Sequence, residues 1–351
     1  MFTCKDFDNH EKVVMVSDKE SGLQAFIAIH DTTFGPAAGG CRYKYYDRPY
    51  DALVDALRLS RGMTYKNAFA GLPLGGGKAV IMRAPGQDQK KLFNAFAREL
   101  NKLQGEYNTA IDIGTTLADM KLINKTSDHV FGLNNTVASS TATGGFEAIK
   151  GLLKYIDRTT STVSEPLGLL FHNRTFAIQG LGQTGMALAK QICAAGGKVI
   201  VTDIGPEGIG KIYDLRAVYP DSVLSVSTDE ILDVEADVFV PCALGGIITK
   251  KVAKSIKFKA ICGLANNQLK SLSVANILHK RGIHFIPDFV ANAGGVIHAS
   301  SDITGKILGK ERLKLIGQNV YEILRESAKK DMSPQHYVEQ KVQKRLYYGN
   351  E

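Results

Sequence analysis

The run Phe176-Ala-Ile-Gln-Gly180-Leu-Gly182-Gln-Thr-Gly185-Met-Ala-Leu-Ala-Lys constrains this chain more than any other segment. A short apolar stretch leads straight into G-x-G-x-x-G, and an alanine-rich stretch follows, which reads as strand, glycine turn, helix. The first glycine permits the tight turn, the second lets a phosphate approach the backbone, and the third lets helix pack on strand. The helix N-terminus then offers unpaired N–H groups and a partial positive charge to a pyrophosphate. A second strand, Lys198-Val-Ile-Val-Thr, ends in Asp203 about 20 residues on, where an acidic side chain reaches ribose hydroxyls. Ile204-Gly205 follows, with no arginine to offset a 2′-phosphate, so the reading is NAD rather than NADP. The alternative, glycines that serve packing alone, leaves the flanking strand, helix and Asp203 without a reason.

Around this unit, short apolar runs (Ala236–Val240, Ala260-Ile261) alternate with helical stretches, the pattern of a parallel sheet with helices on both faces. The 351 residues, at about 150 per domain, make two domains. The expectation is an α/β protein: a C-terminal Rossmann-type, doubly wound dinucleotide-binding domain over 139–317, and an N-terminal α/β substrate domain with a mixed sheet over 1–138, to which a C-terminal helix returns at about 318–351. In the N-terminal part, Leu23–Ile29 alternates like a strand, Tyr50 to about Lys66 and Leu92, Phe96, Leu100 and Leu103 are spaced as helices, and Thr116-Leu-Ala-Asp119 has the form of a capping box. Arg158 to Ser164 reads as a polar loop.

Hydrophobic residues at 44% and charged residues at 22% are those of an ordinary globular chain and exclude a disordered one. No apolar run is long enough to span a membrane, and charges stand near the N-terminus where a secretory signal needs an apolar run. Five cysteines show no C-x-x-C pair and no metal-ligand spacing, as expected of free thiols in a reducing cytosol, with no metal. The net charge of +8 gathers in the last 50 residues, yet Glu311, Glu322, Glu326, Asp331 and Glu339 are interspersed there. That is a solvated helical face, not a nucleic-acid site.

Gly71-Leu-Pro-Leu-Gly75-Gly76-Gly77-Lys78-Ala79 fails as a phosphate loop, since Leu72 stands where its first glycine is needed and Ala79 where Ser or Thr follows the lysine. Glycines before a lysine that enters the apolar strand Ala79-Val80-Ile81 suggest backbone close to a small ligand and Lys78 directed into an apolar pocket. A lysine so desolvated, beside a second cation, is lowered towards neutrality and can exchange protons. Lys66 is the candidate second cation. Asp112, between Ile111 and Ile113, is the candidate carboxylate. Taken singly, each lysine would be a surface residue with a snorkelling stem, and strand alternation could send Asp112 to solvent.

Together these segments carry a resemblance. Thr33-Phe-Gly35-Pro-Ala-Ala-Gly39-Gly40-Cys-Arg42, Gly62-Met-Thr-Tyr-Lys66-Asn67, Gly75-Gly-Gly77-Lys78, Asp112-Ile-Gly-Thr115, the glycine turn, Pro241-Cys242-Ala243-Leu-Gly245, Ala265-Asn266-Asn267-Gln268 and Pro287–Val296 resemble, in order, the leucine, phenylalanine and valine dehydrogenases, of the superfamily that includes glutamate dehydrogenase. The resemblance, nearest to leucine dehydrogenase, implies reversible oxidative deamination of an apolar L-amino acid to the 2-oxo acid and ammonium, with NAD. It implies that Lys66 pairs with the substrate carboxylate, Lys78 activates water at the substrate carbon, and Asp112 relays the amine proton. Gly39, Gly40, Met63, Ala38, Ala110, Val296 and Ala299 would line the substrate, and Gln183, Thr184, Ile204, Cys242, Ala243, Asn266, Asn292 and Thr141 would join Gly180, Gly182, Gly185 and Asp203 at the cofactor. It also implies a homo-oligomer, dimer or octamer.

Two departures stand out. Asn135–Ser140 lacks the prolines many relatives carry before Thr141-Ala-Thr-Gly144. Ala38 and Ala299 stand where leucine dehydrogenases carry larger side chains, worth about 1–3 kcal/mol of discrimination towards a longer or aromatic substrate. Ala110, against the glycine of phenylalanine dehydrogenases, argues the other way. The expectation is therefore leucine or another branched-chain substrate, with an aromatic one as the alternative. A 2-hydroxy acid dehydrogenase would need a histidine base beside an arginine, and His30, His172 and His298 form no such set. A catalytically silent NAD-binding regulator would have no reason to keep Lys66, Lys78 and Asp112 together.

Overall fold

The computed structural model describes residues 4–133, 137–157, 167–305 and 310–348. The loop expected at 158–164, and Asn135 and Thr136 of the segment without prolines, lie outside the described residues. By internal packing the chain divides into two units, one of Met1–Asn135, Ala299–Ile307 and Val342–Glu351, the other of Thr136–His298 and Leu308–Lys341.

In the first unit, β1 (Lys12–Asp18), β2 (Leu23–Asp31), β3 (Ala37–Lys44), β4 (Gly75–Met82) and β5 (Tyr107–Ile111) form a sheet in the order β1-β2-β4-β3-β5. It is mixed: β2 is antiparallel to β1 and β4, whereas β3 is parallel to β4 and β5. Helices α1 (Pro49–Phe69), α2 (Gln89–Lys102) and α3 (Leu117–Asn124) accompany it. Strand alternation sorts the two faces. Ile27, Ile29, Cys41, Tyr43, Ala79, Ile81 and Tyr107 share a core with Leu92, Phe93, Phe96 and Leu100 of α2. On the opposite face Phe26, Ala28 and Val80 pack on Ala52, Ala56 and Leu57 of α1. The same alternation leaves His30, Arg42 and Lys78 on the α1 side. Thr116 and Asp119 do form a capping box at the start of α3, and Asp88 caps α2 by accepting from the N–H groups of Lys90 and Lys91.

The glycines of β4 need a different explanation from the one their spacing suggested. A Cβ on Gly76 would lie 2.1 Å from the Thr64 nitrogen and 2.6 Å from the Ser60 carbonyl oxygen, and one on Gly77 would lie 2.5 Å from the Tyr107 ring. Their open side is filled by α1 and Tyr107 rather than left for a ligand. Gly76→Ala should therefore cost about 3 kcal/mol or more, since backbone of α1 must move to admit the methyl, and a thermal melt checks it.

In the second unit, β6 (Thr175–Gln179), β7 (Lys198–Thr202), β8 (Val223–Ser225), β9 (Val238–Pro241), β10 (Ala260–Ile261) and β11 (His284–Phe285) form a sheet in the order β11-β10-β9-β6-β7-β8, with every pairing parallel. This is the doubly wound order, and the strand sequence reverses between β6 and β9. The helices that follow in the chain are α4 (Val137–Ile156), α5 (Leu167–Phe171), α6 (Gln183–Ala194), α7 (Gly205–Val218), α8 (Lys250–Ser255), α9 (Ser273–Lys280), α10 (Asp288–Ala291), α11 (Gly294–Ala299), α12 (Ser301–Thr304), α13 (Lys310–Lys329) and α14 (Pro334–Tyr348). α13 crosses α4 at close range, because a Cβ on Gly151 would lie 2.0 Å from the Gly317 oxygen. That packing keeps α13 in the second unit, and the chain rejoins the first at Val342, later than the expected 318. There Gln343 donates to the Tyr65 hydroxyl at 3.2 Å and Arg345 lies over the Phe34 ring at 5.0 Å. Among the described residues no helix is long and apolar enough to cross a membrane. All five cysteines are unpaired.

Candidate active site

Three side chains from neighbouring parallel strands converge in the first unit. Lys78 is the fourth residue of β4, Arg42 lies near the end of β3, and Asp112 directly follows β5. One carboxylate oxygen of Asp112, Oδ2, receives Lys78 Nζ at 3.0 Å and Arg42 Nε at 2.8 Å. Arg42 turns its other arm to Asp55 of α1, donating from Nη1 to Oδ2 at 2.8 Å, and the Tyr46 hydroxyl donates to the same oxygen at 2.6 Å. Lys78 is 4% exposed and Arg42 7%, while Asp55 and Tyr46 are half-buried.

Asp112 inverts the usual partition. Its side chain is 11% exposed, while the flanking Ile111 and Ile113 are 40% and 51% exposed. A carboxylate turned inward between two isoleucines turned outward is held by specific partners. The turn that does this is the Asp-Ile-Gly-Thr motif. The Asp112 amide donates to Thr115 Oγ1 at 2.9 Å, that hydroxyl lies 2.9 Å from the Cys41 carbonyl, and Gly114 has φ +81°. Gly40 supplies room, since a Cβ there would lie 2.8 Å from Asp112 Cβ.

The electrostatics follow from burial and charge. Burial pushes the Asp112 carboxyl up, but the Lys78 ammonium and the Arg42 guanidinium outweigh it and bring it down to about 2. Burial lowers Lys78 from its ordinary value of 10.5; Asp112 opposes this and Arg42 adds to it. Among the groups that bear most on Lys78, the cation is Arg42. Arg42 sits in the quoted Gly39-Gly40-Cys-Arg42 run, and alternation puts it on the same face of β3 as Gly40, but only the pairing of β3 with β4 brings it beside Lys78. Asp55, one polar residue among several on α1, carried no signal.

The other residues expected at the substrate fall as follows. Lys66 lies half-buried in the last turn of α1. A Cβ on Gly39 would meet Met63 Cγ at 3.0 Å, so these two adjoin. Ala38 is fully buried in β3, and half-buried Ala110 pairs with Gly40 across β3 and β5. Val296 and Ala299 are buried in α11.

In the second unit the glycine turn leaves β6 at the point where strand order reverses, the usual ligand crevice of such sheets. Gly180 has φ +96°, and a Cβ on it would lie 2.7 Å from that of Ala243. One on Gly185 would lie 2.1 Å from the Gly180 oxygen and 3.2 Å from Cys242 Cβ. Gly182 is different: it is the N-cap of α6, has no side-chain cap, and a Cβ there would meet nothing within 4 Å. Open space before uncapped helical N–H groups fits a pyrophosphate. Gly182→Ala should accordingly leave the melting temperature nearly unchanged and weaken NADH binding. Gly185→Ala should lower the melting temperature. Calorimetric melts and NADH titration of the two variants check both.

Asp203, just past β7, accepts from the Leu181 amide at 2.6 Å through Oδ2 and from the Ile204 amide at 2.7 Å through Oδ1. It ties the glycine turn to β7 and has lone pairs remaining for ribose hydroxyls. Ile204 is exposed, as are Gln183 and Ala243, while Thr184 and Cys242 are half-buried. Buried Asn292 donates through Nδ2 to Asn266 Oδ1 at 2.8 Å and to the Leu264 carbonyl at 3.1 Å, which orients the exposed Asn266. Thr141 donates to the Val137 carbonyl at 2.9 Å within α4.

Residues 10–129 match the family described as Glu/Leu/Phe/Val dehydrogenase, dimerisation domain, and residues 135–343 match Glutamate/Leucine/Phenylalanine/Valine dehydrogenase. The chain belongs to the Glu/Leu/Phe/Val dehydrogenase family. It is an amino acid dehydrogenase, an oxidoreductase, and NAD is consistent with this family. Phenylalanine dehydrogenase of Lysinibacillus sphaericus is 42% identical over 325 residues, 91% of this chain and 82% of that protein. Leucine dehydrogenase of Geobacillus stearothermophilus is 41% identical over 329 residues, 92% and 85% of the two chains. Among solved structures, L-tryptophan dehydrogenase from Nostoc punctiforme superposes with a TM-score of 0.77 at 32% identity, covering 97% of this chain and 96% of that one.

Proposed function

We propose that this family member catalyses reversible NAD-dependent oxidative deamination of an apolar L-amino acid, leucine or another branched-chain one first. The observation that carries the chemistry is the enclosed Lys78–Asp112–Arg42 cluster. A lysine whose ammonium is disfavoured by burial can take up a proton in neutral form, and a carboxylate held near 2 stays ionised beside it. Lys66 pairs with the substrate carboxylate. Asp112 Oδ1, which makes no hydrogen bond among the described residues, receives the amine and passes its proton on. Gly180, Gly182, Gly185 and Asp203 would hold NAD, which would supply the hydride acceptor. Lys78 then takes a proton from the water that adds to the substrate imine, giving 2-oxo acid and ammonium.

NAD over NADP rests on Asp203 and the exposed Ile204 after it. A homo-oligomer is supported by the dimerisation domain in the family description, and a reducing, cytosolic setting by five unpaired cysteines. An aromatic substrate is the second reading, favoured by the small, buried Ala38 and Ala299 and by the phenylalanine and tryptophan dehydrogenases among the similar proteins. NADH formation from Leu, Val, Ile, Phe, Trp and Glu, repeated with NADP, tests the proposal. Turnover of a branched-chain amino acid with NAD supports it, and preference for Phe or Trp moves the substrate to the second reading. Silence on all of them with NADH still bound refutes it in favour of a regulator.

A further inference from the structure

Beyond the lysines and the aspartate, we infer that Arg42 and Asp55 are positioning residues for this reaction: Arg42 clamps Asp112 against Lys78, and Asp55 sets how much of the arginine's charge reaches Lys78. The inference rests on the function proposed above for Lys78. The geometry is a chain of alternating charge, Asp55–Arg42–Asp112–Lys78, in which every neighbouring pair is within 3.0 Å. Because Arg42 Nε and Lys78 Nζ share one oxygen, the two cations stand no more than about 6 Å apart, a range in which like charges in a low-dielectric site oppose each other strongly.

The groups that face Lys78 can be named element by element. From β3 comes Arg42 and after β5 comes Asp112, while the neighbouring Cys41 thiol, neutral through burial, turns to the α2 face. On the same face β2 carries His30, where burial and His10 bring the imidazole down to about 4, so that it is neutral near pH 7. From α1, Asp55 is bonded to Arg42, and Arg61 bears on His30. Arg42 is therefore a permanent positive charge beside a lysine that must become neutral to act, and the Asp55 carboxylate bonded to it partly offsets that charge.

The two residues then have opposite effects on one observable. If Lys78 must be neutral, kcat/KM for oxidative deamination rises with pH as Lys78 loses its proton. Arg42→Gln removes the opposing cation, favours the ammonium, and moves that rise to higher pH by about one unit. Asp55→Asn keeps an acceptor for Arg42 and Tyr46 but exposes the full charge of Arg42 to Lys78, so the rise moves to lower pH. Arg42→Lys restores the charge and with it the wild-type position.

The experiment is the pH profile of kcat/KM in wild type and these three variants, with the pH dependence of Lys78 acetylation by acetic anhydride, read by peptide mass, as a measure that needs no turnover. Opposite displacements for Arg42→Gln and Asp55→Asn in both measurements support the inference. Lower rates with unmoved profiles, or displacement in one common direction, overturn it. A wild type without turnover whose acetylation profile still moves in opposite directions would refute the proposed function while leaving the charge chain intact.

Discussion

Lys78→Met should lower kcat for the amino acid substrate by about 10²–10⁴-fold, the range expected when a general base is removed, and should leave NADH affinity within about twofold. The asymmetry comes from where the lysine sits. Lys78 belongs to the sheet of the first unit, whereas the glycine turn, Asp203 and the α6 N-terminus all belong to the second. Methionine matches the stem in length and loses only the ammonium, so the β4 strand and its contact with α1 keep their shape. Asp112 remains paired with Arg42 at 2.8 Å, so no buried carboxylate is stranded and the melting temperature should change little. Steady-state rates, an NADH titration and a melt decide this together. A variant that keeps a tenth of the activity would show that Lys78 is not the base. One that loses NADH binding or folding would show that the substitution acts through the structure instead.

The fold and the cofactor turn were legible for different reasons. G-x-G-x-x-G between a strand and a helix, with Asp203 at the end of the next strand, is a local pattern, and all four residues lie where that pattern places them. Lys78 and Asp112 were legible as suspects because charge interrupts apolar strand sequence at both. The partner of Lys78 was not. Arg42 reaches it only through the parallel pairing of β3 with β4 and β5, and sequence spacing does not encode strand order. The Gly75–Gly77 run was misread for the same reason. A glycine run states that something comes close, and only the packing shows what: Asp31 and Gly35 at Gly75, Thr64 and Ser60 of α1 at Gly76, and the Tyr107 ring at Gly77. The expected return at about 318 falls inside α13, because sequence does not show what a helix packs against; here the close approach of Gly317 to Gly151 of α4 sets that partner.

Asp112→Asn should be the most damaging single substitution in the cluster, for activity and for folding alike. It removes the anion that two buried cations share. Arg42 retains Asp55, but Lys78 is left 4% exposed with no counter-charge among the described residues, and breaking a buried pair in this way costs about 3–5 kcal/mol. The cost carries a pH signature whose sign is fixed by Asp112. Its carboxyl is lowered from 3.8 to about 2 in the folded protein. A group depressed on folding contributes its stability fully above the unfolded value and loses it as pH falls through the folded one. The wild-type advantage over Asp112→Asn should therefore be constant from pH 7 down to about 5 and narrow as pH drops from 4 towards 2. Denaturant melts of both proteins over that range measure it. An advantage that does not change with pH would mean that Asp112 stabilises the unit by shape alone. In that case the ionised carboxylate required at the substrate amine would have lost its physical support.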